Sequence, residues 1–419
     1  MSMLSLKSLI DRRIQSLFPI VLYSILILAI ARLVLDSLKS KQSHISRLYG
    51  TSSGGRNRLP VIVLPEERIE EGCNVFEGRW VRDNVSYPLY EEESCPYLVK
   101  QTTCNKNGRP DSFYKNLRWQ PHGCNLPRFD PLMLLQMLRD KRMMFIGDSL
   151  QRGQFESMIC LVQSAIPEGK KSLKRIPPMK IFRIEEFNAS IEYYWAPFIV
   201  ESISDHATNH TVHKRMVMLD SIAKHGKHWQ EVDILVFGSY VWWMHNPFIN
   251  ATYGSPDKVQ EYNATTAYML ALKTWANWLE SNIQPLTQNV FFMSMSPTHL
   301  WSWEWKPGSD ENCFNESYPI QEGSYWGTGS NLEIMKILHD SLQQLKIDVT
   351  LLNITQLSEY RKDAHTSVYG ERKGKLLTKE QRANPKSFAD CIHWCLPGVP
   401  DTWNEILYAY LLKNYQNFS

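Results

Sequence analysis

The stretch from about residue 130 onward predicts an α/β fold, a parallel sheet covered on both faces by helices. Two observations carry this. Short apolar runs of strand length recur along the chain, and between them stand segments whose apolar residues repeat every three or four positions. Composition agrees: 43% hydrophobic, 12% aromatic and 21% charged residues in 419 describe a folded chain and exclude a disordered or collagenous one. A net charge of +3 argues against a nucleic-acid partner, which normally carries a strong basic excess.

The elements follow in order. Residues 131–140 (PLMLLQMLRD) read as an amphipathic helix, and 142–149 (RMMFIGDS) as an apolar strand ending in a turn. Residues 233–243 (DILVFGSYVWW) make a second strand, 265–283 a long helix and 289–299 (NVFFMSMSPTH) a third strand. Residues 331–345 form a helix, 349–355 (VTLLNIT) a fourth strand, and 404–412 (NEILYAYLL) a closing helix. Ligands of such sheets sit beyond the carboxyl ends of the strands, so functional residues are sought there.

The N-terminal third is organised differently. Residues 17–31 (LFPIVLYSILILAIA) carry no charge, and Arg32 can snorkel, so 14–36 reads as a membrane anchor with a cytosolic tail at 1–13. A cleaved signal peptide is the alternative, but no small-x-small cleavage site follows the run. Residues 37–70 are a polar stem. All 8 Cys (Cys73, Cys95, Cys104, Cys124, Cys160, Cys313, Cys391, Cys395) lie beyond the apolar run. So do the sequons at Asn84, Asn188, Asn209, Asn250, Asn263, Asn315, Asn353 and Asn417, which favours a glycosylated, oxidising lumenal face. Residues 71–128 form a Cys-rich module and 129–419 the main domain. The module's four Cys lack a C-x-x-C pair, which leaves zinc the weaker alternative to disulfides.

Three groups of residues bear chemistry. Gly147-Asp148-Ser149-Leu150 follows the first strand, where a serine hydroxyl can be presented at the sheet edge; the plainer reading is an ordinary helix start with an Asp or Ser cap. Asp390 stands three residues before His393, between Cys391 and Cys395, and could fix the tautomer of a general base. The plainer reading there is a loop with a surface carboxylate and a packed imidazole. Trp242 and Trp243, and Trp301, Trp303 and Trp305, also follow strands and could line a sugar groove or simply fill core.

The GDSL turn combined with a late Asp-x-x-His resembles the SGNH/GDSL esterases. More closely, the chain is similar to the plant trichome birefringence-like polysaccharide O-acetyltransferases. The similarity runs from Cys73 through CNVFEGRW (73–80), RWQPHGCNLPRFD (118–130), GDSLQRGQ (147–154), SPTH (296–299) and DCIHWCLPGVPDTWNE (390–405). It implies a three-layer α/β/α esterase-like domain with the Cys-rich module packed on it, in a type II Golgi membrane protein. Ser149 would be the nucleophile, His393 the base and Asp390 its orienter. The disulfides would be Cys73–Cys124, Cys95–Cys160, Cys104–Cys395 and Cys313–Cys391. Gly238 and Gly153 stand where relatives carry Asn, so oxyanion support would fall to the turn itself (Gly147, Asp148, the Ser149 N–H) with Arg152 or Gln154.

The activity implied is acetyl transfer to a cell-wall polysaccharide, most like the xylan-modifying branch, at xylosyl O-2 or O-3 through an acetyl-serine. No bound cofactor or metal is expected. The acetyl donor, acetyl-CoA or an acetylated carrier, is a co-substrate, and a Golgi donor transporter or glycosyltransferases are the expected partners besides the acceptor and the membrane. An acetylesterase with the same triad and a non-enzymatic wall-glycan binder are the competing readings.

Overall fold

The chain from residue 72 first builds a loop-rich module on two strands, β1 (Gly78–Arg82) and β2 (Leu117–Pro121), paired antiparallel. The structure, a computed structural model, describes Arg32 and residues 69–70, 72–206, 215–372 and 374–418. The expected tail and almost all of the expected anchor and stem lie outside the described residues, as does Asn209. No helix among the described residues is long and apolar enough to cross a membrane. Residues from 69 onward belong to one unit, Glu66–Ser419.

The main sheet has seven strands in the order β12-β11-β8-β3-β6-β5-β4. They are β3 (Arg142–Gly147), β4 (Lys171–Ile176), β5 (Met179–Ile184), β6 (Ala189–Trp195), β8 (Ile234–Gly238), β11 (Asn289–Met293) and β12 (Thr350–Leu352). The strands read from the sequence (β3, β8, β11, β12) do run parallel, and β6 runs parallel to β3. The sheet as a whole is mixed, not parallel, because β5 pairs antiparallel with β6 and β4 antiparallel with β5. Those strands have charged residues in KSLKRI and MKIFRI that dilute the apolar signal. An edge hairpin with one side in water tolerates such charge, whereas a central strand does not. A smaller sheet holds β7 (Met216–Met218), β9 (Phe248–Thr252) and β10 (Val259–Asn263).

Register shows that helices cover both faces. Phe145 of β3 lies opposite Val236 of β8, so Phe145 and Phe237 point to opposite sides. Phe145 meets Phe155 of helix α2 (Ser149–Gln163), with ring centroids 6.5 Å apart. Phe237 meets Trp275 of α3 (Ala264–Asn282) at 5.4 Å. Helices α1 (Pro131–Met137) and α6 (Val399–Phe418) pack with α2, and α4 (Leu332–Gln343) packs with α3. The short α5 is Thr355–Glu359. Beside the sheet, β13 (His365–Ser367) pairs antiparallel with β16 (Asp390–Trp394), and the small hairpin β14 (Glu371–Arg372) and β15 (Lys375–Leu376) lies between them in sequence.

Four disulfides join Cys73–Cys124, Cys95–Cys160, Cys104–Cys395 and Cys313–Cys391, the pairs that the resemblance implies. Two of them cross from the module into the main domain, and Cys104–Cys395 reaches the residue after β16.

Two places in this framework lead to stability expectations. Gly147 has φ +156°, and a Cβ built there would lie 2.0 Å from the carbonyl oxygen of Gly238 on the neighbouring strand. Gly147→Ala should therefore destabilise the protein by about 3 kcal/mol in chemical denaturation. On α6, Asp401 accepts from Tyr90 Oη at 2.8 Å and Ser157 Oγ at 2.6 Å, and Glu405 accepts from Tyr87. Burial raises their pKa values to about 6 and about 7. The native state then binds more protons than the unfolded chain between about pH 4 and pH 7, so stability is lost as pH rises through that window. The melting midpoint should fall by on the order of 5 °C across it, and Asp401→Asn with Glu405→Gln should make that fall smaller.

Candidate active site

Ser149 is the first residue of α2, directly beyond the central strand β3. Asp148 caps the helix, its carboxylate accepting from the Leu150 N–H at 2.9 Å, and Tyr193 Oη donates to its carbonyl at 2.9 Å. Burial raises the Asp148 pKa to about 6, against the Leu150 hydrogen bond and the nearby positive charge. The Ser149 N–H lies in the first helical turn, where no carbonyl four residues earlier takes it up.

Ser149 Oγ lies 2.7 Å from His393 Nε2, and His393 Nδ1 lies 2.7 Å from Asp390 Oδ2. The other carboxylate oxygen of Asp390 accepts from the N–H groups of Ile392 and His393, both at 3.0 Å. Burial opposes ionisation of Asp390, but the His393 charge and these donors outweigh it and hold the carboxyl well below the usual carboxylate range. A fixed carboxylate at Nδ1 leaves Nε2 free to accept the serine proton. Ser149 and the Asp390–His393 pair, 244 residues further on, thus form one chain of hydrogen bonds.

The remaining expected site residues divide. Gly147 permits the close approach of β3 to β8. Arg152 is held by Gln101 and lies 3.7 Å from Glu156, so its guanidinium is tied to the module. Gln154 is fully buried in α2, and its backbone carbonyl accepts from Asn404 of α6 at 2.9 Å. Trp242 and Trp243 are buried, 5% and 1% exposed, and packed edge-on against Phe198; neither lines the cleft beside Ile392, and Trp243 lines a separate cleft of about 360 Å³ with Arg215 and Phe248. The turn after β8 folds them inward because that side is closed by the loop carrying Phe198 and by α3. Trp305 donates to Glu316 at 2.8 Å and packs on His299.

Trp301 is 53% exposed and lines a cleft of about 150 Å³ with Tyr240, His245, Thr298, Glu304 and Ile392, the neighbour of His393. Trp303 is exposed but outside that lining. Tyr240 and Thr298 both follow strands, so the strand-end rule would have found them; Glu304 and Ile392 carry no local signal. A larger cleft of about 920 Å³ lies where the module meets the start of the main domain, lined by Asp83, Arg118 and Phe129 among others, and it holds none of the three hydrogen-bonded residues.

Residues 126–410 match the GDSL/SGNH-like acyl-esterase family found in Pmr5 and Cas1p, and residues 71–125 match the PMR5 N-terminal domain. The chain is 68% identical over 408 residues to Protein trichome birefringence-like 31 of Arabidopsis thaliana, covering 97% of this chain and 98% of that one. It is 49% identical over 343 residues to Probable xylan O-acetyltransferase 8 of Oryza sativa subsp. japonica, covering 81% and 78%. Over 350 residues it is 47% identical to Xylan O-acetyltransferase 6 of the same plant, covering 81% and 63%. A serine at the end of a central strand, joined to a late Asp-x-x-His, is thus found in a sequence that matches this family along its main domain, and the chain belongs to the GDSL/SGNH-like acyl-esterase family, with the trichome birefringence-like proteins among its relatives.

Proposed function

We propose that this protein is a polysaccharide O-acetyltransferase that acetylates xylan, at xylosyl O-2 or O-3, through an acetyl-Ser149 intermediate. The observation that carries it is the continuous chain Ser149 Oγ–His393 Nε2, His393 Nδ1–Asp390 Oδ2 beside an aromatic-lined cleft. The names of the rice relatives supply the acceptor class.

In the first half-reaction His393 Nε2 takes the Ser149 proton as Oγ bonds to the acetyl carbonyl carbon. The bond from that carbon to the donor's leaving atom breaks, and the leaving atom takes the proton from His393. The donor is acetyl-CoA or an acetylated carrier, with no resident cofactor. The Ser149 N–H stands ready for the oxyanion. In the second half-reaction His393 takes the proton of a sugar hydroxyl, whose oxygen bonds to the acetyl carbon, and Oγ leaves and regains the proton. Transfer outruns hydrolysis when the sugar is held beside the ester at high effective concentration. Trp301 offers a ring face for that, with Glu304 and His245 in the same cleft.

The reading extends to location. Residues 14–36 would anchor the chain in the Golgi membrane with residues 1–13 in the cytosol and the described unit in the lumen, where a donor transporter or glycosyltransferases would be its neighbours. In support, the four disulfides suit an oxidising compartment, and Asn84, Asn188, Asn250, Asn263 and Asn315 are exposed. Asn353 is half-buried.

Ser149→Ala should reduce acetyl transfer to xylan oligomers, counted by mass spectrometry, to background, and His393→Ala nearly so. Asp390→Asn should lose about 10⁴-fold, the cost in the serine-protease case, because the base keeps its atoms and loses its tautomer. A folded Ser149→Ala protein that still acetylates at the wild-type rate would refute the intermediate; acetate released with no acetylated sugar would make the enzyme an esterase. Endoglycosidase treatment of the full chain expressed in plant cells should increase its gel mobility, and unchanged mobility would rule out the lumenal placement.

A further inference from the structure

Behind the triad lies a second hydrogen-bonded chain that the chemistry above does not use. His299, on the loop after β11, places Nε2 2.8 Å from the backbone carbonyl of Glu359 and Nδ1 2.7 Å from His365 Nε2. His365, the first residue of β13, places Nδ1 3.1 Å from the backbone carbonyl of His393. Trp394 stacks on the His365 ring at 4.0 Å. Both rings are buried, 0% and 1% exposed.

The proton count of this chain is unusual. A backbone carbonyl can only accept, so both outer nitrogens must carry hydrogen, and the inner N···N contact needs one hydrogen more. The three bonds therefore require three protons on the four ring nitrogens, where two neutral imidazoles hold two. Every neutral arrangement sets one lone pair against another at 3.1 Å or less.

A source and counter-charge for the third proton lie alongside. Glu359 is fully buried, its Oε2 3.9 Å from His299 Nε2, and its Oε1 meets no partner. The other charges facing the pair are already matched. Asp363 is bound by Arg361, Lys362 by Glu316 and Arg109 by Asp111, while Asp390 holds His393. Glu304 accepts from Tyr325 and Thr328. Burial pulls His299 down to about 4 and His365 well below the imidazole range, and it raises Glu359 to about 7. A cluster with one proton beyond two neutral rings is thus neutral overall, whether that proton sits on the carboxyl or between the rings. The hydrogen-bond count decides for the rings.

We propose that Glu359, His299 and His365 form a neutral buried relay in which the third proton resides in the histidine pair opposite a Glu359 carboxylate, and that its far end, His365 Nδ1–H, fixes the His393 carbonyl and so positions the base. His299, His365 and Glu359 are positioning residues, since none touches the reacting atoms. The second half of the proposal rests on the role given to His393 above.

The test uses the full chain in detergent micelles with ¹⁵N-labelled histidine, its signals assigned by loss in His299→Gln and His365→Gln. Three of the four ring nitrogens of the pair should show a directly bonded proton, falling to two in Glu359→Gln. Two in the wild type would overturn the relay, and three in Glu359→Gln would overturn the counter-charge. Positioning is read from labelling by a fluorophosphonate, in which Ser149 Oγ bonds to phosphorus, fluoride leaves and His393 takes the serine proton. This needs neither acetyl donor nor polysaccharide, so a wrong substrate assignment leaves it intact. His365→Gln should slow labelling by about 10²-fold, the cost of a small misplacement of a reacting group. Labelling of a folded His365→Gln protein at the wild-type rate would overturn the positioning role.

Discussion

A hydrogen bond of 2.7 Å joins Ser149 to His393 across 244 residues of sequence, and much of the architecture serves to hold its two ends. The serine end is rigid by sheet pairing: β3 is flanked by β6 and β8, and Asp148 caps the helix that starts there. The histidine end lies outside the main sheet, on a strand that pairs, among the described residues, only with the three-residue β13. A two-stranded ribbon is marginal by itself. Here it is reinforced by Cys313–Cys391 within β16, by Cys104–Cys395 just after it, and by Trp394, whose indole donates to Ser296 at 2.8 Å.

The N-terminal module therefore belongs to the same structural problem as the Ser149–His393 pair. Arg109 of the module donates to the carbonyls of His365 at 3.0 Å and Asp363 at 2.6 Å, and Cys104 bonds to Cys395. The module reaches the backbone around His393 by hydrogen bonds and by a covalent link. Arg361 lies over the Trp80 ring of β1 at 4.3 Å, which ties the stretch after α5 to the module as well. Removing the module would strip partners from β13 and from the residue that follows β16.

How much of this could be read from sequence depended on the kind of signal. Apolar periodicity located β3, β8, β11 and β12 and the helices α3 and α4, since buried parallel strands are nearly continuous apolar runs, but it did not mark out α2 or β6. It missed β4 and β5, where lysines and arginines alternate into the pattern, and the short β13 and β16, where pairing and disulfides replace hydrophobic length. Ser149, His393 and Asp390 stood out through the GDSL turn and the Asp-x-x-His spacing. Trp242 and Trp243 misled, because an aromatic pair after a strand looks the same whether the chain turns it inward or outward; only the Phe198 loop decides. His299 and His365 are 66 residues apart and have no local pattern that would pair them.

The two outer strands of the main sheet have a consequence of another kind. An unpaired strand edge is a template on which another chain can add. On one side the edge is β4, which carries Lys171, Lys174 and Arg175; on the other it is β12, only three residues long. A strand approaching β4 would have to bury or crowd those cations, and one approaching β12 would find few backbone groups to bind. The sheet is thereby closed to growth at both ends without being rolled into a barrel, which favours a protein that stays dispersed rather than polymerising edge to edge when it is crowded.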